Sequence, residues 1–449
     1  MRRLIGLLLI LGFMLLTLID YPADMTYPWA RTTFAFGFLL LAAYLLGDVL
    51  AGFKMPKITG YILAGIVFGP YVLNLVPLES VRDLGLIDDL ALTFIALAAG
   101  GELRLKELKN RKRAILLTVA FLTLIVFVGM VLFVILARGL MPFLDGKSFV
   151  HVLAVAAIVG TFAVARSPSS AIAIISETKA RGPFTEMVLG VTVLMDVGVI
   201  AFFAIVVTVC QAAVSTTGGM DFNLIITMTL EIAGSIGAGL LLGWLMMLYI
   251  KHIRVELMIF IIGVAFLTTF GTKQLAAILF IRYGIVFHLH AMLICITAGF
   301  LVQNYSPSGR IFMEKIDRVS LPIYVIFFAH VGADLDIRTL RATWLIAILI
   351  VTARCLFIWL GAYVGGRIAG DPSVMRRWSG PSFITQAGVS LGLAGIVRAR
   401  FPEWGAALAT MIVAVITLNQ VIGPVTFKLA LSSVGETREA RLRRTSPRD

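Results

Sequence analysis

Charged residues are scarce in this chain of 449 residues: they make up 14% of it, whereas hydrophobic residues make up 59%. Soluble domains contain about 25% charged residues, so the composition argues against a soluble enzyme or a disordered chain. Only three cysteines are present, Cys210, Cys295 and Cys355, and they lie in or beside apolar runs without the spacing of a metal site. We expect them to pack as small apolar side chains, and we predict no cofactor.

Long apolar runs dominate the rest of the sequence and predict an all-α membrane protein. Each run approaches or exceeds the length that a helix needs to cross about 30 Å of hydrocarbon. The first run follows Arg2 and Arg3, as in a signal peptide, but no small-residue cleavage site comes after it, so we expect a retained helix. Cleavage would leave 13 spans. The 14 predicted spans are residues 4–19, 32–50, 58–77, 86–101, 114–137, 149–176, 186–209, 223–250, 255–281, 287–303, 319–335, 342–364, 379–399 and 405–431.

Basic residues are distributed unequally among the predicted loops. With the N-terminus inside, the inner loops and tails hold 25 Lys and Arg residues and the outer loops hold nine. Cytoplasmic loops are enriched in basic residues, so topology explains the net charge of +13 without a nucleic acid. The sequence predicts a multi-pass protein of the cell (inner) membrane, embedded in the lipid bilayer with both termini cytoplasmic.

Two sequence matches at nearly the same offset indicate an internal repeat. Ala64-Gly65 matches Ala298-Gly299 at an offset of 234, and Glu102-Leu103 matches Asp334-Leu335 at an offset of 232. The matched spans are seven apart, so the two halves must cross the membrane in opposite senses. Inverted-topology repeats of this kind build the central sites of many secondary transporters.

Polar and small residues interrupt two spans that correspond in the repeat. Proline removes a backbone donor and clashes with the preceding turn, and the neighbouring serines and glycines loosen a helix further. We predict two broken crossing helices, whose carbonyls and half-helix ends bind ions. The alternative is a pair of kinked helices whose small residues only allow close packing. The residues concerned are Ser167, Pro168 and Ser169 in span six and Thr385, Gln386 and Gly388 in span thirteen.

Asp196 is the candidate ion-binding residue. It lies ten residues from one end of span seven and thirteen from the other, and an ionised carboxylate near the bilayer centre is costly and is usually functional or paired. Thr192 is one turn earlier on the same face. We predict that Asp196, Thr192 and the segment of Ser167 and Ser169 belong to an ion-binding site. The alternative is a structural salt bridge.

Two arginines and two amides complete the candidate set. Arg354 lies centrally in span twelve and needs an acidic or carbonyl partner. It either offsets the charge of an empty, deprotonated site or forms a stabilising ion pair away from the pathway. Arg166 adds a second positive charge beside the break in span six. Asn419 and Gln420 stand roughly opposite Asp196 by the repeat, where they line the site or only join helices.

Together these segments resemble the monovalent cation:proton antiporters, which contain the sodium/hydrogen exchanger membrane domain, and they are most similar to the potassium-efflux-type branch. The resemblance covers nearly the whole chain. It implies that Asp196 is the ion-binding aspartate, that Ser167-Pro168 is the unwound crossing and that Arg354 is the basic residue of the core. The matching stretches are residues 54–70, 91–108, 167–183, 193–197 and 386–424.

The resemblance also implies a domain organisation. A core that carries the ion moves against a scaffold, and the scaffold forms a homodimer. The expected segments are an N-terminal helix and loop at 1–31, scaffold helices at 32–113, core helices at 114–209, connector and scaffold helices at 210–341, core helices at 342–431, and a short basic tail at 432–449.

The expected activity is secondary active antiport of sodium or potassium against protons by alternating access, and not enzymatic catalysis. Two residues depart from the family pattern: Met195 stands where many members have Asn or Asp, and Arg166 stands where a small hydroxyl residue is usual. With a single carboxylate, we predict one proton exchanged per cation. The alternatives are a cation channel or uniporter, and a degenerate sensor in which Arg166 neutralises Asp196.

Overall fold

The computed structural model describes residues 28–445, apart from residues 54, 215–221, 254–255, 286, 336 and 387–388. The first predicted span, 4–19, and the predicted site residue Gly388 therefore lie outside the described residues. The regular structure of the described residues is entirely helical, without strands.

The helices follow one another through short connections. Short 3₁₀ segments lie at Arg138–Leu140, Pro142–Leu144 and Gly380–Phe383. The α-helices are α1 (Pro28–Gly52), α2 (Lys57–Phe68), α3 (Leu78–Asp83), α4 (Gly85–Glu102), α5 (Leu105–Leu136), α6 (Phe149–Val164), α7 (Pro168–Thr178), α8 (Pro183–Val214), α9 (Phe222–His252), α10 (Leu257–Tyr283), α11 (Ala291–Tyr305), α12 (Gly309–Asp334), α13 (Ile337–Ala369), α14 (Ser373–Ser379), α15 (Val389–Arg400), α16 (Gly405–Val434) and α17 (Arg438–Thr445).

The predicted all-α membrane architecture is confirmed. In the described part of the chain, nine helical segments are long and apolar enough to cross a membrane, and α2 and α11 are shorter apolar helices. Many large apolar side chains of α9 and α10 are exposed on the outside of the bundle, Trp244 and Phe266 among them. Such a surface is suited to lipid rather than to water.

Several helix ends differ from the predicted span boundaries; α12, for example, begins at Gly309 and not at residue 319. Helix α5 begins at Leu105, so most of the basic run 104–113 is helical instead of forming a loop. Lys and Arg are good helix formers, and they extend the helix beyond its apolar part. Helix α2 ends at Phe68, because Pro70 disfavours helical backbone at the preceding residue, and residues 69–77 form turns.

Four glycines produce two equivalent close helix crossings. A Cβ built on Gly65 of α2 would lie 2.0 Å from the Ala329 carbonyl oxygen of α12, and one on Gly299 of α11 would lie 2.2 Å from the Leu97 carbonyl oxygen of α4. Only glycine allows backbones to approach this closely. The reciprocal contacts are Gly332 against the Ile62 oxygen at 2.1 Å and Gly100 against the Ile296 oxygen at 2.0 Å.

Aromatic and sulfur contacts hold α8 against α6. The rings of Phe162 and Phe203 pack edge to face with centroids 5.7 Å apart, and the Cys210 thiol donates to the Ala154 carbonyl at 3.6 Å. Cys210 and Cys295 are buried and unpaired, and the third cysteine is also unpaired and partly buried. This packing places the middle of α8 beside the point where α6 ends.

Candidate ion-binding site

The first helix interruption lies between α6 and α7. Helix α6 ends at Val164, and Ala165 and Ser167 have extended backbone conformations. Pro168 is the first residue of α7, where its missing N–H has no helical partner to lose. The Ser167 hydroxyl accepts a hydrogen bond from the Ser170 N–H at 3.3 Å, which caps the helix.

A second non-helical segment lies beside the first. The 3₁₀ segment Gly380–Phe383 is followed by non-helical residues up to Gln386, and α15 begins at Val389. The Ser167 N–H donates a 3.2 Å hydrogen bond to the Thr385 carbonyl. The two segments are therefore in direct main-chain contact within the bundle.

Arg354 of α13 joins the two segments through their carbonyl groups. It is fully buried and donates to the Ala163 oxygen at 3.0 Å, the Ala165 oxygen at 3.0 Å and the Ile384 oxygen at 2.8 Å. The last carbonyls of a helix have no intrahelical partner, so the guanidinium supplies the donors that the end of α6 lacks. No ion pair links Arg354 to a carboxylate among the described residues.

Arg166 shares these acceptors. Its Nη1 donates to the Ala163 oxygen at 2.8 Å and to the Ala165 oxygen at 2.9 Å, and the residue is 1% exposed. Its Nε and Nη2 have no hydrogen-bond partner within the described part of the chain. Arg166 thus contributes positive charge at the interruption without forming an ion pair with Asp196.

An amide cluster lies next to the same interruption. Gln386 donates from Nε2 to the Phe162 carbonyl at 2.7 Å and to the Ser390 hydroxyl at 3.3 Å, and its Oε1 accepts from Asn419 Nδ2 at 3.0 Å. The Asn419 Oδ1 and both polar atoms of the Gln420 side chain are buried without a partner among the described residues. These groups are available as additional ligands or donors.

Asp196 lies in the wall of a cavity of about 280 Å³. The residue is 5% exposed, and no hydrogen bond or ion pair joins its carboxylate to another described residue. The Thr192 hydroxyl donates to the Val188 carbonyl at 2.7 Å, which leaves only its oxygen lone pairs for an ion. The other polar residues that line the cavity are Asp89, Thr93, Thr269, Thr272, Lys273 and His290.

The predicted site residues fall into two groups. Among the predicted site residues whose side chains the structure describes, only Asp196 lines the cavity of about 280 Å³. The serines, arginines and amides surround the helix interruptions. Sequence reasoning did not include the polar residues of α4 and α10 in the site, although a lysine within the apolar run of α10 was a usable signal.

Two further cavities of about 670 Å³ each lie at the opposite end of the bundle. Both are lined by Glu102 and Arg181, and Glu102 is thirteen residues, or about 20 Å, along α4 from Asp89. Neither cavity includes Asp196. On α8 the nearer one reaches Leu189, which is seven residues, or about 10 Å, before Asp196.

Sequence comparison identifies the family of the chain that contains this site. Residues 36–432 match the family described as sodium/hydrogen exchanger, transmembrane. The chain belongs to the sodium/hydrogen exchanger family. Among curated proteins, no relative matches this exchanger-family protein.

Solved structures resemble the exchanger-family protein over nearly its whole length. One is the sodium proton antiporter MjNhaP1 from Methanocaldococcus jannaschii at pH 8, with a TM-score of 0.62 and 17% sequence identity over 92% of this chain and 97% of the other. An electron-microscopy structure of the same antiporter gives a TM-score of 0.69 at 17% identity, covering 92% of this chain and 98% of the other. At this identity the likeness shows the fold alone.

Proposed function

We propose that the protein exchanges a monovalent cation, sodium or potassium, for protons by alternating access, and that Asp196 binds the two in turn. The observation that carries the proposal is the carboxylate of Asp196, 5% exposed and without a partner among the described residues, in the wall of a cavity of about 280 Å³. A buried carboxylate without a permanent counter-ion attracts a proton or a cation. Competition for one carboxylate couples the two fluxes.

The inverted repeat is supported by the four close glycine contacts. Gly65 and Gly299 are related by the sequence offset of 234, and Gly100 and Gly332 by 232. The residues that they approach follow the same offsets, because Ala329 and Leu97 each precede the partner glycine by three positions. We interpret the interruptions at 165–167 and 384–386 as belonging to the two broken crossing helices of this repeat.

The positions of Arg354 and Arg166 favour an active antiporter over a degenerate sensor. Both guanidinium groups donate to main-chain carbonyls of the first interruption, and neither forms an ion pair with Asp196 within the described structure. We propose that their positive charge offsets that of the empty, deprotonated site while leaving the carboxylate of Asp196 open to exchange. We therefore assign Arg354 a combined role as structural brace and charge-compensating residue.

One-sided access to Asp196 supports alternating access. The cavity beside Asp196 is lined by residues near the start of α4, while the larger cavities at the other end stop short of it. A transporter needs a second state in which Asp196 faces those larger cavities. We propose that the core segments 114–209 and 342–431 move against the scaffold segments 32–113 and 210–341 to reach it.

The membrane arrangement follows the same proposal. The inner membrane is the expected location, with both termini cytoplasmic and the basic start of α5 on the cytoplasmic side. The Asp89 end of α4 then faces outward. The scaffold helices form a homodimer, and the 432–449 segment, of which residues 438–445 form α17, is a short cytoplasmic tail.

The decisive experiment is cation-induced dequenching of a pH-sensitive dye in everted vesicles across pH, with sodium, potassium and lithium. The wild type is expected to release accumulated protons when cation is added, and Asp196→Asn is expected to be inactive. Asp371→Asn is a matched control, because Asp371 is a buried carboxylate that pairs with Arg111 away from the cavity. Normal exchange by Asp196→Asn would remove the site assignment, and cation flux without proton countertransport would indicate a channel.

Stoichiometry needs a separate measurement. Met195 offers no carboxylate next to Asp196, so one proton leaves for each monovalent cation that binds and the exchange is electroneutral. Exchange rates in proteoliposomes are expected to be the same at imposed potentials of either sign. A marked dependence on voltage would exclude one-for-one exchange without affecting the role of Asp196.

A further inference from the structure

An ion pair lies at the open end of the cavity that Asp196 lines. The Lys273 ammonium of α10 donates to the Asp89 carboxylate of α4. The side chains are 58% exposed for Lys273 and 39% for Asp89, whereas Asp196 is 5% exposed. The pair therefore lies between the surface and the buried carboxylate.

A pair of hydroxyl groups forms a second layer beneath the charges. The Thr93 and Thr269 oxygens are 2.8 Å apart, and both residues are buried. Thr93 follows Asp89 by four residues and Thr269 precedes Lys273 by four, so α4 and α10 run antiparallel here. Four residues correspond to about 6 Å along a helix. A cation that enters at this end thus meets the charged layer before the hydroxyl layer.

Lys273 is an unexpected residue for the entrance of a cation site. A lysine within an apolar helix is costly and is usually retained for a function, and the hydroxyl pair already links α4 to α10. Its fixed positive charge opposes the approach of a cation, while Asp89 offsets that charge. Because the two charges have opposite effects on the same ion, removing either one changes the local potential in a predictable direction.

We infer that the Asp89–Lys273 pair sets the apparent affinity of Asp196 for cations that enter from this end of the bundle. Lys273 weakens cation entry and Asp89 restores it, so the balanced pair keeps the entrance nearly neutral. The inference rests on the proposed antiport function and names the residues of its entrance. Neither residue binds the transported ion at Asp196; both act through their electrostatic field.

The test compares Lys273→Gln, Asp89→Asn and the double variant in proteoliposomes, with the apparent KM for sodium and for potassium as the readout. At separations of about 10 Å in a mostly aqueous path, one unit charge changes the local cation concentration about two- to fivefold. Lys273→Gln is expected to lower KM by that factor, Asp89→Asn to raise it, and the double variant to return close to the wild type. Added choline chloride is expected to reduce both shifts by screening.

A structural role for the pair gives a different pattern. If the ion pair only ties α4 to α10, both single variants lower the unfolding temperature and shift KM in the same direction, and this result would overturn the inference. Equal KM values in all three variants would overturn it as well. Lys147→Gln is the matched control, because Lys147 pairs with Glu403 on the surface and does not line the cavity.

The outcome is separable from that of the proposed function. The cation concentration that gives half of the maximal thermal stabilisation of purified protein measures binding without transport. The same order of variants is expected in that assay. One possible result is that the wild type transports no protons but the half-maximal concentrations of Lys273→Gln and Asp89→Asn still shift in opposite directions. This result would support the role of the ion pair and contradict the antiport proposal. The other result is that the wild type transports protons and Asp196→Asn does not, but the two ion-pair variants show no opposite shifts. This result would contradict only the role of the ion pair.

Discussion

The N–H of Ser167 donates a 3.2 Å hydrogen bond to the carbonyl of Thr385, although 218 positions separate the two residues in the sequence. This bond joins the interruption between α6 and α7 to the one before α15. Arg354 adds a second connection between the same segments. The interrupted segments therefore behave as one unit, and substitutions in it are expected to affect stability and transport together.

Arg354→Lys is expected to destabilise the protein although it keeps the positive charge. Lysine cannot place donors on the carbonyls of Ala163, Ala165 and Ile384 at once. Ala163 and Ala165 keep the Arg166 donor, but the Ile384 carbonyl loses its Arg354 donor, and a buried carbonyl that loses its donor costs about 1–3 kcal/mol. The measurement is the unfolding temperature in detergent together with the exchange rate. Arg398→Lys, at an exposed position of α15, is the control. Unchanged stability and activity in Arg354→Lys would show that charge alone is required.

Gly65→Ala and Gly299→Ala are expected to have equally severe effects. In each variant the new methyl group would overlap a main-chain carbonyl oxygen of the neighbouring helix, at 2.0 and 2.2 Å, and such overpacking typically costs about 1–3 kcal/mol. Gly37→Ala is the control, because nothing lies within 4 Å of its Cβ position. Unfolding temperatures compare the three. A result in which the two buried variants match Gly37→Ala would be inconsistent with these close crossings.

Glu436→Ala is expected to weaken the start of α8. The Glu436 carboxylate accepts hydrogen bonds from the N–H groups of Phe184 and Thr185 at 2.8 and 2.7 Å and from the Thr185 hydroxyl at 2.7 Å. A negative charge at a helix N-terminus is favourable, and loss of a cap costs about 1–2 kcal/mol. The unfolding temperature is expected to fall, whereas the exposed Glu439→Ala control is expected to be neutral. Equal effects of the two variants would argue against the cap.

The hydrogen bond between Gln386 and Asn419 is expected to appear as an energetic coupling. Gln386→Ala leaves the Phe162 carbonyl without its side-chain donor and Asn419 without its acceptor, so the effects of Gln386→Ala and Asn419→Ala should be less than additive. A double-mutant cycle on unfolding free energies measures the coupling, which we expect to be about 0.5–1.5 kcal/mol. Gln386→Ala with Ser320→Ala, on a separate helix, should be additive. Strict additivity in the first pair would mean that the two amides do not interact.

Local features of the sequence were sufficient for much of the fold. Each predicted span within the described residues coincides at least in part with a helix, because helix formation in a membrane depends on uninterrupted apolar length. The short helices α3 and α17 lie outside the predicted spans. The position of the first interruption follows from Pro168, because proline disrupts the helical turn that precedes it. The start of α5 was placed too late, because the prediction followed hydrophobicity and not helix propensity across the basic residues.

Local sequence features did not predict the partners of the charged residues. The sequence showed that Arg354 needed a partner and left open an acidic or a carbonyl one; the structure gives it main-chain carbonyls. Likewise, nothing in the sequence relates Asp89 to Lys273, which the structure joins in an ion pair. In both cases the answer depends on which distant helix packs alongside.

The amino-acid sequence by itself determined the membrane character of the protein, the helix interruption at Pro168 and the position of the Asp196 carboxylate within an apolar run. Each of these is a property of one short segment. Only the tertiary structure decided that Arg354 reaches Ala165 across 189 positions and that Lys273 reaches Asp89 across 184. Contacts of that range depend on helix packing, which no local pattern encodes.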